Sequence, residues 1–211
     1  MHRLSTDEPP QDKPHTAQFF DAMFRSDADP WNFKSRWYEI RKRQLTMACL
    51  PDAKYSRAFE PGCANGELSA ALAPRCGRLL CSDGSTLAVQ AARLRLAHLP
   101  QVEIKQLWVP DQWPDEAFEL VVISELAYYL DADQLNELIA CAKRVLTPDG
   151  TVLACHWRHP IDDCAIGGDH VHDAFARSLK LPSVCTHIEA DFRIDVWSSK
   201  NPSIAAANSV G

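Results

Sequence analysis

No stretch of the chain approaches the roughly 18 consecutive apolar residues that a bilayer-crossing helix needs, so no membrane span is expected. Basic charge is sparse. The formal net charge is −6, and no basic run extends beyond Arg41-Lys42-Arg43. That balance argues against a nucleic-acid partner gripped through its phosphates. The opening M-H-R-L-S-T-D-E-P-P-Q-D-K-P is polar and proline-rich, unlike a signal or transit peptide. Eight cysteines are present without a C-x-x-C pair. Cys63, Cys81, Cys141 and Cys155 sit among apolar neighbours and read as reduced thiols of a cytoplasmic protein. Internal repeats and low-complexity tracts are lacking too.

What remains is ordinary globular composition: 211 residues, 46% hydrophobic and 24% charged, enough for one domain with a sizeable core. Residues 1–16 and 200–211 read as disordered and flexible tails around a single domain, 17–199. Within it, 17–56 forms an N-terminal helical cap, 57–157 a binding core, and 158–199 a substrate-side segment with the last strand. Across the core, short apolar runs alternate with amphipathic ones. Strands are expected at Arg57–Glu60, Arg78–Ser82, Val102–Leu107, Phe118–Ser124 and Thr151–His156, with helices at Glu67–Ala73, Leu87–His98 and Asp133–Leu146. F-E-L-V-V-I-S, apolar on both faces, suits a central parallel strand. The order implies right-handed crossovers and an α/β, doubly wound, mostly parallel sheet. His187–Ser198 alternates polar and apolar residues and reads as an antiparallel edge strand. Residues 156–182 carry no legible periodicity.

The first strand runs into F-E-P-G-C-A-N-G, residues 59–66. In a doubly wound sheet that turn is where ligands bind, and Gly62 and Gly66 leave the backbone free to approach one closely. A third glycine is missing, so the G-x-G-x-x-G of a dinucleotide site is absent. Glu60 would repel a pyrophosphate and suit a cation. Asp83 closes the second strand, where a carboxylate can accept the hydroxyls of a ribose. A packing turn followed by a strand-ending acid would look the same, so both readings stand on these residues alone.

With E-P-G-C-A-N-G (Glu60–Gly66), C-S-D ending at Asp83, L-W-V (Leu107–Val109), F-E-L-V-V-I-S-E-L-A-Y-Y-L (Phe118–Leu130) and L-T-P-D-G (Leu146–Gly150), residues 29–157 resemble the class I S-adenosylmethionine-dependent methyltransferases. D-P-W-N-F from Asp29, E-P-G-C-A and V-I-S-E-L-A-Y-Y-L are similar to the nodulation-type N-methyltransferases, which act on the free amine of a deacetylated chitooligosaccharide. H-W-R-H-P and G-D-H-V-H depart from that pattern. The resemblance implies a Rossmann-like sheet of seven strands with an antiparallel edge. It further implies S-adenosylmethionine as cofactor, S-adenosylhomocysteine as product, and a small-molecule amine or amino sugar as acceptor. On this basis Glu60, Gly62 and Gly66 line the methionine moiety. Asp83 holds the ribose; Leu107, Trp108 and Val109 flank the adenine; Ser124 and Glu125 close the site; Cys63, Ala64, Gly84 and Ser85 count among the cofactor-binding residues. Trp31, Tyr38 and Arg41 of the cap count among the cofactor-binding residues.

An amine must be unprotonated when it attacks, so a base or a desolvating pocket is needed. Glu125 is the first candidate, unless it only caps the next helix. His156 and His159 are second candidates. His156, His159, His170 and His172 with Asp162, Asp163 and Asp169 have metal-ligating types, but no helix or knuckle fixes their geometry, and no metal is expected. A helix near Ser35–Leu50 would cover the pocket with Trp37, Tyr38 or Arg41 facing inward and Lys42 and Arg43 solvated outside. The alternatives are an O-methyltransferase, a nicotinamide-dependent oxidoreductase and a non-catalytic binding module. Monomer and homodimer remain open.

Overall fold

The computed structural model describes residues 15–200 and residue 205. Seven strands, β1 (Tyr55–Pro61), β2 (Cys76–Asp83), β3 (Val102–Gln106), β4 (Phe118–Ser124), β5 (Leu146–Trp157), β6 (Ser183–Ile188) and β7 (Phe192–Ser198), form one sheet in the order β3-β2-β1-β4-β5-β7-β6. β1 to β5 are parallel, and β7 runs antiparallel between β5 and β6. Strand order reverses between β1 and β4, so the crevice that such a sheet opens lies at their carboxyl ends. The expected class and the core strands are all present, with ends moved by a few residues.

Period-two alternation divides the core between the two faces. Phe59, Val121, Ile123, Val152 and Ala154 face α5 (Ala132–Val145) and α6 (Gly168–Leu179). Ala58, Leu79, Leu120, Val122 and Leu153 face the other layer, with Leu72 of α3 (Glu67–Leu72) and Ala92 and Leu96 of α4 (Thr86–Leu96). Leu120 to Ile123 are fully buried, each side chain contributing about 1.5–3 kcal/mol by leaving water. Asp131 and Gln134 form a reciprocal capping box that starts α5.

Three expectations need correction. His187–Ser198 is not one edge strand: the chain turns after Ile188, β6 takes the edge, and β7 is buried nearly throughout. Its alternation misleads because Arg193 and Asp195 are paired with partners inside the protein rather than solvated. Residues 168–179 form α6, with Val171, Ala174, Phe175 and Leu179 buried at helical spacing, so a period was present there. The cap has two helices, α1 (Ala17–Ser26) and α2 (Trp37–Cys49). α2 turns a different face inward than expected: Trp37 is 68% exposed, while Glu39, Lys42 and Thr46 are buried.

Most of the two expected tails lies outside the described residues. At their inner ends the chain is anchored, since Thr16 caps α1 and Lys200 pairs with Asp52 at 2.7 Å.

A cleft at the switch point

β1 delivers the chain into a turn where Gly62, Ala64 and Gly66 all take the left-handed conformation, with φ of 71°, 49° and 82°. Ala64 tolerates a region that L-residues visit at a cost, and such strain is typical of ligand sites. The turn is tied to the end of β2. Cys63 N donates to the Ser82 carbonyl at 2.9 Å, and Ala64 N donates to Asp83 Oδ2 at 3.0 Å. The other oxygen of Asp83 accepts from Ser85 N at 2.9 Å. Burial pushes this carboxyl upward, opposed by those backbone donors. One carboxylate thus sets both turns and, with the Gly84 N–H as a further backbone donor, keeps acceptor capacity for a ligand hydroxyl. Beside it the Trp108 indole lies across Gly84: a Cβ there would stand 2.1 Å from the ring.

These turns floor a cleft of about 800 Å³. Glu60, Gly62, Cys63, Ala64, Asp83, Gly84, Leu107, Trp108, Val109, Ser124, Glu125 and Trp31 line it as expected. Glu60 is 2% exposed, and its carboxyl is raised to about 7 by burial, with the Asp83 charge adding to the shift. A fixed cation beside it would reverse that shift.

Other expected residues are not among those lining the cleft. Gly66 packs on Leu96 at the start of α3. Ser85 caps α4, and its hydroxyl donates to Asp21 at 2.5 Å. Tyr38 packs edge-on against Trp157 and Phe192. Arg41 makes a two-pronged pair with Glu189 at 2.7 Å. His159 is half-exposed on Asp191 at 2.8 Å.

His156 is fully buried and does not line the cleft. Its Nε2 accepts from Ala127 N at 3.3 Å, so its proton sits on Nδ1. That nitrogen faces His172 Nε2 at 3.1 Å, and His172 Nδ1 donates to Asp195 Oδ2 at 2.7 Å. Burial, then the neighbouring His172 and Lys42, hold His156 far below the usual imidazole range, so it stays neutral. Burial alone would raise Asp195, but hydrogen bonds from His172 and Thr186 and the Arg193 charge keep it low. The chain from Asp195 through both histidines ends on the backbone after Leu126. It supports that turn from inside the protein.

Glu125 stands at the carboxyl end of β4 in the left-handed region, φ 53°. Its N–H donates to the Cys155 carbonyl at 2.9 Å and its side chain lines the cleft. Oε2 accepts from Tyr128 Oη at 2.6 Å and Trp157 N at 3.0 Å; Oε1 accepts from Lys42 Nζ at 2.7 Å. Lys42 also pairs with Glu39 Oε2 at 2.9 Å. So Lys42, expected on the solvated face, is 7% exposed and lines the cleft.

Asn65 was also missed. It is 2% exposed and lines the cleft; Nδ2 donates to Asp29 Oδ1 at 2.8 Å, while Oδ1 has no partner among the described residues. A buried acceptor without a donor is costly and marks where a ligand donor belongs. Its position between the two glycines was the available signal. Together the orphaned Asn65 oxygen, the Asp83 carboxylate, the cationophilic Glu60 and the indole over Gly84 fit S-adenosylmethionine, which offers an ammonium, a sulfonium, ribose hydroxyls and a flat base.

Comparison with known proteins agrees. The sequence model of the family Nodulation protein S (NodS) matches residues 19–181. Nodulation protein S of Bradyrhizobium diazoefficiens is 29% identical over 127 residues, covering 59% of this chain and 61% of that protein. The chain therefore spans about three fifths of the length of this relative. Among solved structures, a Pseudomonas syringae protein classed with the methyltransferases is 51% identical, with a TM-score of 0.70 over 77% of this chain and 99% of that one. The N-methyltransferase NodS of Bradyrhizobium japonicum WM9 in complex with S-adenosyl-L-homocysteine is 22% identical. It superposes at a TM-score of 0.77 over 89% of this chain and 100% of that one, a likeness of fold.

Proposed function

The chain belongs to the nodulation protein S family, and from that premise we propose that it is an S-adenosylmethionine-dependent N-methyltransferase acting on the amine of a small molecule, an amino sugar first among candidates. The observation that carries the reading is Asp83. Its carboxylate joins the turns after β1 and β2 on the cleft floor, and Asn65 Oδ1 in the first of those turns has no partner among the described residues. When bound, S-adenosylmethionine supplies an already activated methyl group, so the protein's work is alignment, exclusion of water and handling of one proton.

Asp83 receives the ribose hydroxyls, Trp108 lies along the base, and Glu60 and Asn65 receive the cationic and donor groups of the methionine end. Glu125 is the group that takes a proton from the acceptor nitrogen. The acceptor end of the cleft supports an amine: Glu39, Glu125, Asp131 and Asp163 line it beside Tyr128, Tyr129 and Trp157. Carboxylates raise the local concentration of a cationic acceptor, and aromatic faces suit either a cation or the flat side of a sugar ring.

The test is transfer of a labelled methyl group to a deacetylated chitooligosaccharide, to glucosamine and to the fully N-acetylated oligosaccharide. Labelling that requires the free amine supports the reading. Equal labelling of the N-acetylated compound would assign the methyl to a hydroxyl and overturn N-methylation.

A further inference from the structure

We infer that Lys42 is a positioning residue for Glu125: its ammonium, shared with Glu39, fixes the Glu125 carboxylate so that Oε1 is the oxygen that receives the acceptor's N–H. The inference rests on the methyltransferase reading of the cleft.

Glu125 is a carboxylate with a limited number of lone pairs. Oε2 is filled by Tyr128 Oη and Trp157 N, whereas Oε1 holds Lys42 alone among the described residues. A substrate donor therefore has one open direction, on Oε1 and next to Lys42. The three donors come from three elements: α2, the Ala127–Tyr129 turn and β5. They fix the carboxylate plane as well as its distance, and the backbone strain at Glu125 aims the group into the cleft.

Charge points the same way. Facing the carboxylate are Tyr38, Glu39 and Lys42 from α2, Tyr128 and Tyr129 from the turn, and Cys155 from β5, with His156 behind them beside Lys42. Burial pushes Tyr38, Tyr128, Tyr129 and Cys155 upward and His156 downward, so all five are neutral near pH 7. Lys42 and Glu39 are the charges left beside Glu125. Burial would by itself neutralise Lys42, but the carboxylates of Glu125 and Glu39 more than reverse that. Without the ammonium, two carboxylates would face each other in a desolvated wall, and one would hold a proton. A protonated Glu125 cannot accept. With Lys42 in place the ammonium acceptor gives one proton to Oε1: the N–H bond breaks, its electron pair stays on nitrogen, and the amine is free to attack.

The decisive experiment follows the Glu125 carboxyl-carbon NMR signal, identified by its loss in E125Q, through pH in protein saturated with S-adenosylhomocysteine. K42M is expected to raise the midpoint by about one unit or more over the native chain, and K42R to restore most of it. An unchanged midpoint in K42M overturns the inference. Should K42M not fold, E39Q serves: with one carboxylate removed, the ammonium acts wholly on Glu125 and the midpoint falls, and no movement overturns the inference. With a turning-over acceptor, K42M lowers kcat far more than it changes KM. Failure of the underlying reading looks different: the native chain would not bind S-adenosylhomocysteine, and the same titrations run without it would still read the effect of Lys42 on Glu125.

Discussion

Asn65 Nδ2 donates to Asp29 Oδ1 at 2.8 Å, joining the glycine turn of the sheet to the loop that carries Trp31 and Phe33. Asp29 also accepts from Phe33 N at 2.9 Å and Lys34 N at 3.0 Å, so one side chain folds the loop and docks it. The two aromatics stack with centroids 5.4 Å apart and line the cleft. The cap is thus built into the binding site. Asp29→Ala is expected to weaken S-adenosylhomocysteine binding about tenfold, equivalent to one or two lost hydrogen bonds. Calorimetry, with a melting curve to confirm folding, checks it.

Glu60 makes stability depend on pH. Its carboxyl goes from an ordinary 4.5 to about 7 in the folded chain, so between those values the folded state binds the extra proton. Stability from this residue is therefore fully present below pH 4.5 and falls by about 3 kcal/mol as pH rises through 7. Glu60→Gln should melt higher than the native chain at pH 8 and close to it at pH 5. Equal melting differences at both pH values would contradict this.

Gly84 is required by space rather than backbone freedom. Gly84→Ala drives a methyl into the Trp108 ring, 2.1 Å away, and the indole must leave its place. A loss of cofactor-product affinity of about tenfold or more is expected, with Trp fluorescence reporting the displaced ring.

The Asp195–His172–His156 chain is predicted to matter for stability first. His172→Ala leaves Asp195 and His156 without their shared partner in a fully buried place, at a cost of about 3 kcal/mol. Urea unfolding measures it. S-adenosylhomocysteine affinity of the folded fraction should change little.

Much of this was readable in the sequence, for physical reasons that also mark where reading stopped. Phe118–Ser124 came out residue for residue because a central parallel strand is apolar on both faces. The glycine turn and Asp83 were legible because a left-handed turn after β1 demands glycine and a carboxylate ending β2 stands out against its apolar strand. α2 was not. Its buried face is Glu39, Lys42 and Thr46, a polar stripe at helical spacing, so a search for apolar periodicity selects the wrong side. Lys42 is buried because Glu125, 83 residues away, meets it, and no local pattern carries that information. His156 was legible as a histidine at a strand end, but its partners come from α6 and β7. α6 was a failure of reading: Val171, Phe175 and Leu179 kept the period behind a polar Gly-Asp-His start.

The measurement that bears most directly on the central claim is calorimetric titration of S-adenosylhomocysteine into the native chain and into Asp83→Ala. The account predicts a single site on the native chain, weakened about a hundredfold in the variant as its paired hydrogen bonds to the ribose disappear. Absence of binding to the native chain, or equal binding to both, would contradict it.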